Sequence, residues 1–154
     1  RRVLTNVEHG WNSKLALPAY KTASGYLSVA INRGLRTDIV VRHQNGHAII
    51  DAKYYAASNA SNAPSIGDFS KQVLYEKAIR EELGSKHDVR NMFVFPSTKS
   101  GEGSLSEMFM QRRDGSAAAL IPSVDCKYLS VSEVMRAYCK NETDRELNKS
   151  LGLN

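Results

Sequence analysis

Asp38, Asp51 and Lys53 are the residues of this 154-residue chain whose types and spacing best fit a chemical task. The acids sit in two short runs rich in β-formers, DIVVR at 38–42 and HAIIDAKY at 47–54, joined by the polar segment HQNG at 43–46. Strand side chains alternate between faces, so Asp51 and Lys53 share a face with Ile49. Asn45-Gly46 signals a tight hairpin turn, and a loop of even length makes paired positions sum to an odd number. Asp38 then joins Asp51 and Lys53 on one face, at one end of a sheet.

Two carboxylates and an ammonium in that arrangement suit phosphodiester hydrolysis. Mg²⁺ is held by oxygen ligands, commonly one or two carboxylates completed by waters and substrate phosphate oxygens. Asp38 and Asp51 supply the carboxylates in this reading, and the backbone carbonyl of Ala52 adds another oxygen. The ion polarises the scissile phosphate and acidifies an attacking water. Lys53 orients that water or offsets the charge that builds on phosphorus in the transition state. Neighbouring carboxylates repel, so a cation also relieves them. A solvated surface hairpin carrying ion pairs would show the same three residues, so the elements around them matter.

Val3, Val7 and Trp11 recur at helical spacing and predict a first helix within residues 2–16, ending before Pro18. YLSVAI at 26–31 reads as a strand ahead of the hairpin. After the hairpin, the small polar residues of 56–67 read as a loop. A helix is expected from Asp68 as N-cap through Leu83, closed by Gly84, with Phe69, Val73 and Leu83 as its buried stripe and Leu74 or Ile79 widening it. NMFVF at 91–95 is a short apolar run ending at Pro96, the signature of a central strand covered on both faces. Residues 97–104 read as a loop, 117–121 and 127–129 as short strands. Ser130 to Glu133 reads as a capping box opening a last helix to Lys140, and 141–154 as a fraying tail. The order helix, three strands, helix, strand is an α/β layout, a central mixed sheet flanked by helices.

With that order in place, LRTDIVV…HAIIDAKYY resembles the core of the PD-(D/E)XK nucleases. Within them it is most similar to restriction endonucleases of the LlaJI and McrC types, in which an L-R-P-D-I-V segment precedes D-A-K-Y. The resemblance implies a restriction-endonuclease-like αβββαβ core and a Mg²⁺-dependent endonuclease, with Mn²⁺ as an alternative ion. Thr37 stands where the family has proline, a position that is not a ligand. The family's helical Gln and Tyr are four apart, whereas Gln72 and Tyr75 are three apart, so Gln72 carries over more securely than Tyr75. Many relatives add a glutamate from the first helix; Glu8 is the only acid before Asp38. An exposed helical glutamate is the competing reading of Glu8, and a polar helix face that of Gln72.

Net charge is +5 with a pI near 9.3, which favours a polyanionic partner. Residues 1–36 hold six basic groups against Glu8 alone, while the remaining residues balance. The expected partner is double-stranded DNA. Cutting both strands calls for a homodimer or for a partner subunit or domain. The length fits a single domain, and Arg1 in place of Met suggests a fragment of a longer protein. No apolar run is long enough to span a membrane, and a bacterial or archaeal cytoplasm is the expected compartment.

Cys126 and Cys139 lie too far apart for a C-x-x-C site. His43 and His47 flank the turn without a third ligand of suitable spacing and read as solvated, while His9 and His87 carry no signal. Tyr54 and Tyr55 read as strand-end packing residues, and Arg112-Arg113 as a solvated pair. Two other functions share these features: a Holliday-junction-resolvase-like, structure-specific nuclease, and a catalytically idle domain that only binds DNA or a partner.

Overall fold

The computed structural model describes residues 3–28 and 34–153. Its centre is a six-stranded mixed sheet in the order β1-β4-β5-β6-β8-β7, formed by β1 (Val7–Glu8), β4 (Ile39–His43), β5 (Gly46–Ala52), β6 (Asp88–Ser97), β7 (Glu107–Met108) and β8 (Val124–Ser130). β1, β4 and β5 run antiparallel, β5, β6 and β8 run parallel, and β7 closes the far edge antiparallel. A separate two-stranded sheet pairs β2 (Ala19–Thr22) with β3 (Gly25–Ser28). The helices are α1 (Trp11–Lys14), α2 (Ile66–Leu83), α3 (Val131–Lys140) and α4 (Arg145–Ser150). Among the described residues, no helix is long and apolar enough to cross a membrane.

Alternation along β4 and β5 divides the core. Val40 and Ile49 point to the α2 side and pack with Trp11, Leu15, Ala78, Ile79 and Val89. Val41, Ala48 and Ile50 point the other way and pack with Leu151 and Leu153 from the C-terminus. A third cluster fills the space between α2, β6 and β8 around Phe69, Phe93, Phe95 and Tyr128. β6 is buried from Asn91 through Phe95 because it lies between β5 and β8 with apolar groups on both faces, as its unbroken apolar run predicts.

Several elements depart from the sequence expectation. The first helix shrinks to α1, and Val7 and Glu8 pair instead with Val41 and Val40. The strand expected at 26–31 begins at Gly25, is described to Ser28, and belongs to the separate hairpin; Val29 to Ile31 lie outside the described residues. The β strand next to β4 is therefore β1. The β4–β5 turn is Gln44-Asn45, one residue earlier than expected, with His43 paired to Gly46. Neither turn residue has positive φ, so Gly46 is not there for turn geometry. A Cβ on Gly46 would lie 2.0 Å from the carbonyl oxygen of Asp88, so glycine is required by the approach of β6.

Helix α2 starts earlier than expected because Ser65, not Asp68, is its N-cap. Ser65 accepts from the Asp68 N–H while the Asp68 carboxylate accepts from the Ser65 N–H, a reciprocal capping box. Its buried face is Phe69, Gln72, Glu76 and Ile79, whereas Val73 is half-buried and Leu74 and Leu83 are exposed. Glu76 tolerates burial by pairing with Arg80 at 2.8 Å and accepting from Asn91 at 2.6 Å. Residues 117–121 form no strand beyond one bridge from Ala117 to Gln111. At α3, Ser130 caps the helix, but Glu133 accepts from Ser100, not from its own cap backbone. The tail does not fray: α4 buries Leu147 and Asn148, and Leu151 and Leu153 enter the core.

Candidate active site at the open end of the β4–β5 hairpin

The β4–β5 register fixes the candidate site. Ile39 pairs with Ile50 and Val40 with Ile49, so continuing the ladder by one residue sets Asp38 opposite Asp51. Both side chains therefore leave the sheet on the α2 side, together with Lys53. The odd sum expected from the sequence holds even though the turn sits elsewhere, because a two-residue loop in either place preserves parity.

Asp38 stands at the exposed rim, while Asp51 and Lys53 are largely covered, with side-chain exposures of 16% and 14%. The Lys53 ammonium lies 2.9 Å from Asp51 Oδ2 and 2.8 Å from Asp68 Oδ1, and 5.3 Å from the centre of the Phe93 ring. Its backbone N–H donates to the Val94 carbonyl at 2.8 Å, which ties the end of β5 to β6. Burial by itself would lower the Lys53 pKa; hydrogen bonds and charge from Asp68 and Asp51 outweigh it and raise the value. Lys53 is accordingly a fixed ammonium.

Asp38 responds in the opposite sense. Partial desolvation, then the negative charge of Asp51 and a hydrogen bond between the two carboxyls, raise its pKa, and Lys53 offsets only part of this. Asp68 is held down at about 2 by hydrogen bonds from Lys53 and Ser65. Three carboxylates thus surround one ammonium, leaving an excess of negative charge that a cation would neutralise. Among the described residues, no group of three or more His, Cys, Asp or Glu side chains is arranged to hold a metal. Asp38 and Asp51, with backbone oxygen at Ala52, the last residue of β5, are the groups that would hold a Mg²⁺ ion, a sparse set of oxygen donors of the kind such an ion accepts together with water.

Helix α2 contributes two further groups. Tyr75 is half-buried, and its pKa is raised by burial first, with Asp38 and Asp51 adding to the shift. Its hydroxyl interacts with the backbone of Arg36, so it stands beside the carboxylate pair despite the shortened spacing from Gln72. Gln72 is 1% exposed, which removes the reading of it as part of a polar helix face, and its Oε1 lacks a partner among the described atoms. Tyr55 packs on Phe95 at 6.1 Å between ring centres, whereas Tyr54 is almost fully exposed.

Glu8 does not join this cluster. It lies on β1, not on a helix, and its carboxylate accepts from Trp11 Nε1 at 3.0 Å, meets His47 Nε2 at 3.0 Å and faces Arg42 at 3.6 Å. Those contacts draw it toward the turn end of the hairpin, away from Asp38 and Asp51. Glu8's pKa is lowered because the Trp11, His47 and Arg42 interactions outweigh its desolvation. His47 and His43 are both buried rather than solvated, and alternation sends them to opposite faces, so they cannot share a metal.

Asp68 is the site residue that sequence reasoning assigned to the wrong role. The signal for it was present: Ser65 and Asp68 at capping-box spacing before an apolar residue place the acid in the first helical turn, facing back toward the strand end.

The sequence that builds this fold matches a known family. Residues 2–131 match the LlaJI restriction endonuclease family, and the chain belongs to it. It is also 28% identical, over 134 residues, to the type II restriction enzyme BsuMI component YdjA of Bacillus subtilis (strain 168). That match covers 77% of this chain and 27% of the relative, so the chain corresponds to about a quarter of that protein's length.

Proposed function

We propose that this chain is a Mg²⁺-dependent endodeoxyribonuclease domain of the PD-(D/E)XK type, hydrolysing phosphodiester bonds of double-stranded DNA within a restriction enzyme. The observation that carries the reading is the convergence of Asp38, Asp51 and Lys53 at one sheet end, supported by membership of a restriction endonuclease family. Mg²⁺, or Mn²⁺ in its place, would polarise the scissile phosphate and acidify water when bound. Asp38 and Asp51 would hold the ion, and the Ala52 carbonyl is the backbone oxygen available to it. Lys53, already an ammonium, does not act as a base; it donates hydrogen bonds to the phosphate oxygens and to the nucleophile, stabilising developing charge. Asp68 positions that ammonium from the opposite side.

The relative named above is a component of a type II enzyme, which favours a reading in which this domain works with a partner subunit or as a homodimer, in the cytoplasm of a bacterial or archaeal cell. Glu8 is assigned a structural role at the far end of the hairpin, and Gln72 a positioning role under the site. The deciding experiment incubates linear duplex DNA with Mg²⁺ and either wild-type protein or folded Asp51→Ala and Lys53→Ala variants. Loss of cleavage in both is expected; undiminished cutting by either would sink the assignment.

A further inference from the structure

The β2–β3 hairpin stands apart from the central sheet and exposes its large side chains on both faces. Tyr20 pairs with Leu27 and Lys21 with Tyr26, so the first pair occupies one face and the second the other. Tyr20, Tyr26 and Leu27 are 70%, 74% and 64% exposed. An isolated two-stranded hairpin is marginal in water, and this one buries neither face, so its aromatic groups are left for a partner.

The charge along the chain on either side of the hairpin favours a polyanionic partner. Residues 9–37 contain no Asp or Glu, but they contain Lys14, Lys21, Arg33 and Arg36. This stretch runs directly into Asp38, so the basic segment and the proposed cleavage site adjoin in the chain. A two-stranded ribbon is narrow enough to enter the major groove of duplex DNA, lysine on it can meet a phosphate, and tyrosine rings offer flat surfaces to sugars and bases.

We propose that the β2–β3 hairpin is a DNA-contacting arm that seats the duplex through Lys21, Tyr20 and Tyr26, separate from the groups that cleave it. This rests on the reading that DNA is the substrate. Binding of a labelled linear duplex is measured by fluorescence anisotropy across a salt series, with Ca²⁺ in place of Mg²⁺, for wild type and for Lys21→Ala/Tyr26→Ala, Tyr20→Ala/Leu27→Ala, Lys140→Ala and Asp51→Ala. All the replaced hairpin side chains are exposed, so folding is preserved, and circular dichroism checks it.

The two hairpin variants are expected to lose about tenfold in affinity. The Lys21 variant is also expected to flatten the salt dependence by about one counterion. Asp51→Ala should bind without cutting. At subsaturating enzyme in Mg²⁺ the hairpin variants should cut more slowly than wild type, in proportion to their lost affinity. Wild-type affinity and salt slope in both hairpin variants, or an equal loss from Lys140→Ala on α3, would overturn the arm. Undiminished cutting by Asp51→Ala would instead overturn the catalytic reading and leave the arm standing.

Discussion

The Lys53 ammonium lies 2.8 Å from Asp68 Oδ1, so the end of β5 is clamped to the first turn of α2. Without Asp68, Lys53 would keep only the Asp51 ion pair and would swing toward that carboxylate. Asp68→Asn is therefore expected to lower the single-turnover cleavage rate by about tenfold while leaving DNA affinity near wild type. Stopped-time gel assays at saturating enzyme read the rate directly. The same pair links stability to acid. With a folded pKa of about 2 against an ordinary 3.8, Asp68 contributes stability that is complete above 3.8 and is lost as pH falls toward 2.

Asp38 and Asp51 oppose one another, and their repulsion costs stability in the absence of a cation. Asp38→Asn should abolish cleavage yet raise the melting temperature in EDTA, by an amount on the order of 1–3 °C. The sign is checked by pH. Asp38 has a raised pKa, so as the solution is acidified the wild-type carboxyl becomes neutral first and the repulsion disappears. The two melting curves should converge at acid pH and separate as pH rises. Added Mg²⁺ should stabilise wild type and leave Asp38→Asn unmoved.

His47 lies in a buried chain of hydrogen bonds between Glu8 and His87, with Nδ1 2.8 Å from His87 Nε2. A carboxylate only accepts, so neutral His47 donates from Nε2 to Glu8 and accepts at Nδ1 from His87. Burial lowers the His47 pKa, with His87 and Arg42 adding to the shift against the opposing pull of Glu8. The unfolded chain therefore binds a proton below its ordinary value of 6.5 that the folded chain refuses. Stability should fall as pH drops from about 7 to 5, and His47→Gln should flatten that slope in urea titrations.

Tyr128 fastens two loops to β8. Its hydroxyl donates to the Ala57 carbonyl at 2.6 Å and accepts from the Leu105 N–H at 3.1 Å, and a Cβ on Gly103 would meet its ring at 2.0 Å. Tyr128→Phe keeps the ring and leaves a buried carbonyl without its partner. A loss of roughly 1–3 kcal/mol is expected, measured by chemical denaturation, together with faster proteolysis of the 56–67 loop. Gly103→Ala should cost more, because the clash is with a packed ring rather than with a mobile chain end.

The shared face of Asp38, Asp51 and Lys53 was readable because strand alternation is a strict rule: any two-residue turn, wherever it sits, keeps the parity of the paired positions and so keeps the three side chains on one side of the sheet. β6 was readable from the unbroken run Met92 to Phe95, since few environments tolerate four consecutive large apolar residues. Helix α2 was harder. Its buried face includes two polar residues, Gln72 and Glu76, the latter satisfied by Asn91 of β6 and by Arg80, so hydrophobic periodicity pointed to Leu74 and Leu83 instead. The first helix failed because Val3, Val7 and Trp11 owe their burial to different elements, not to one helical stripe. Glu8 was placed by elimination as the lone acid upstream, and nothing in its neighbours signalled its attachment to His47. The tail seemed polar because Leu147, Leu151 and Leu153 are spaced among hydrophilic residues, yet those leucines close the core beneath β4, β5 and β6.

The segment before β1 and the segment around α4 are laced together. The Thr5 N–H and hydroxyl both donate to Asn148 Oδ1, and the Asp144 N–H donates to the Val3 carbonyl. The segment leading into the edge strand β1 is thus secured by α4, which follows the whole sheet in sequence. A growing chain could pair β4 with β5 and form α2 early, but β1 would be held loosely until α4 had been made. The edge of the central sheet therefore closes through contacts of very long sequence separation, which makes it the slow part of the fold to complete.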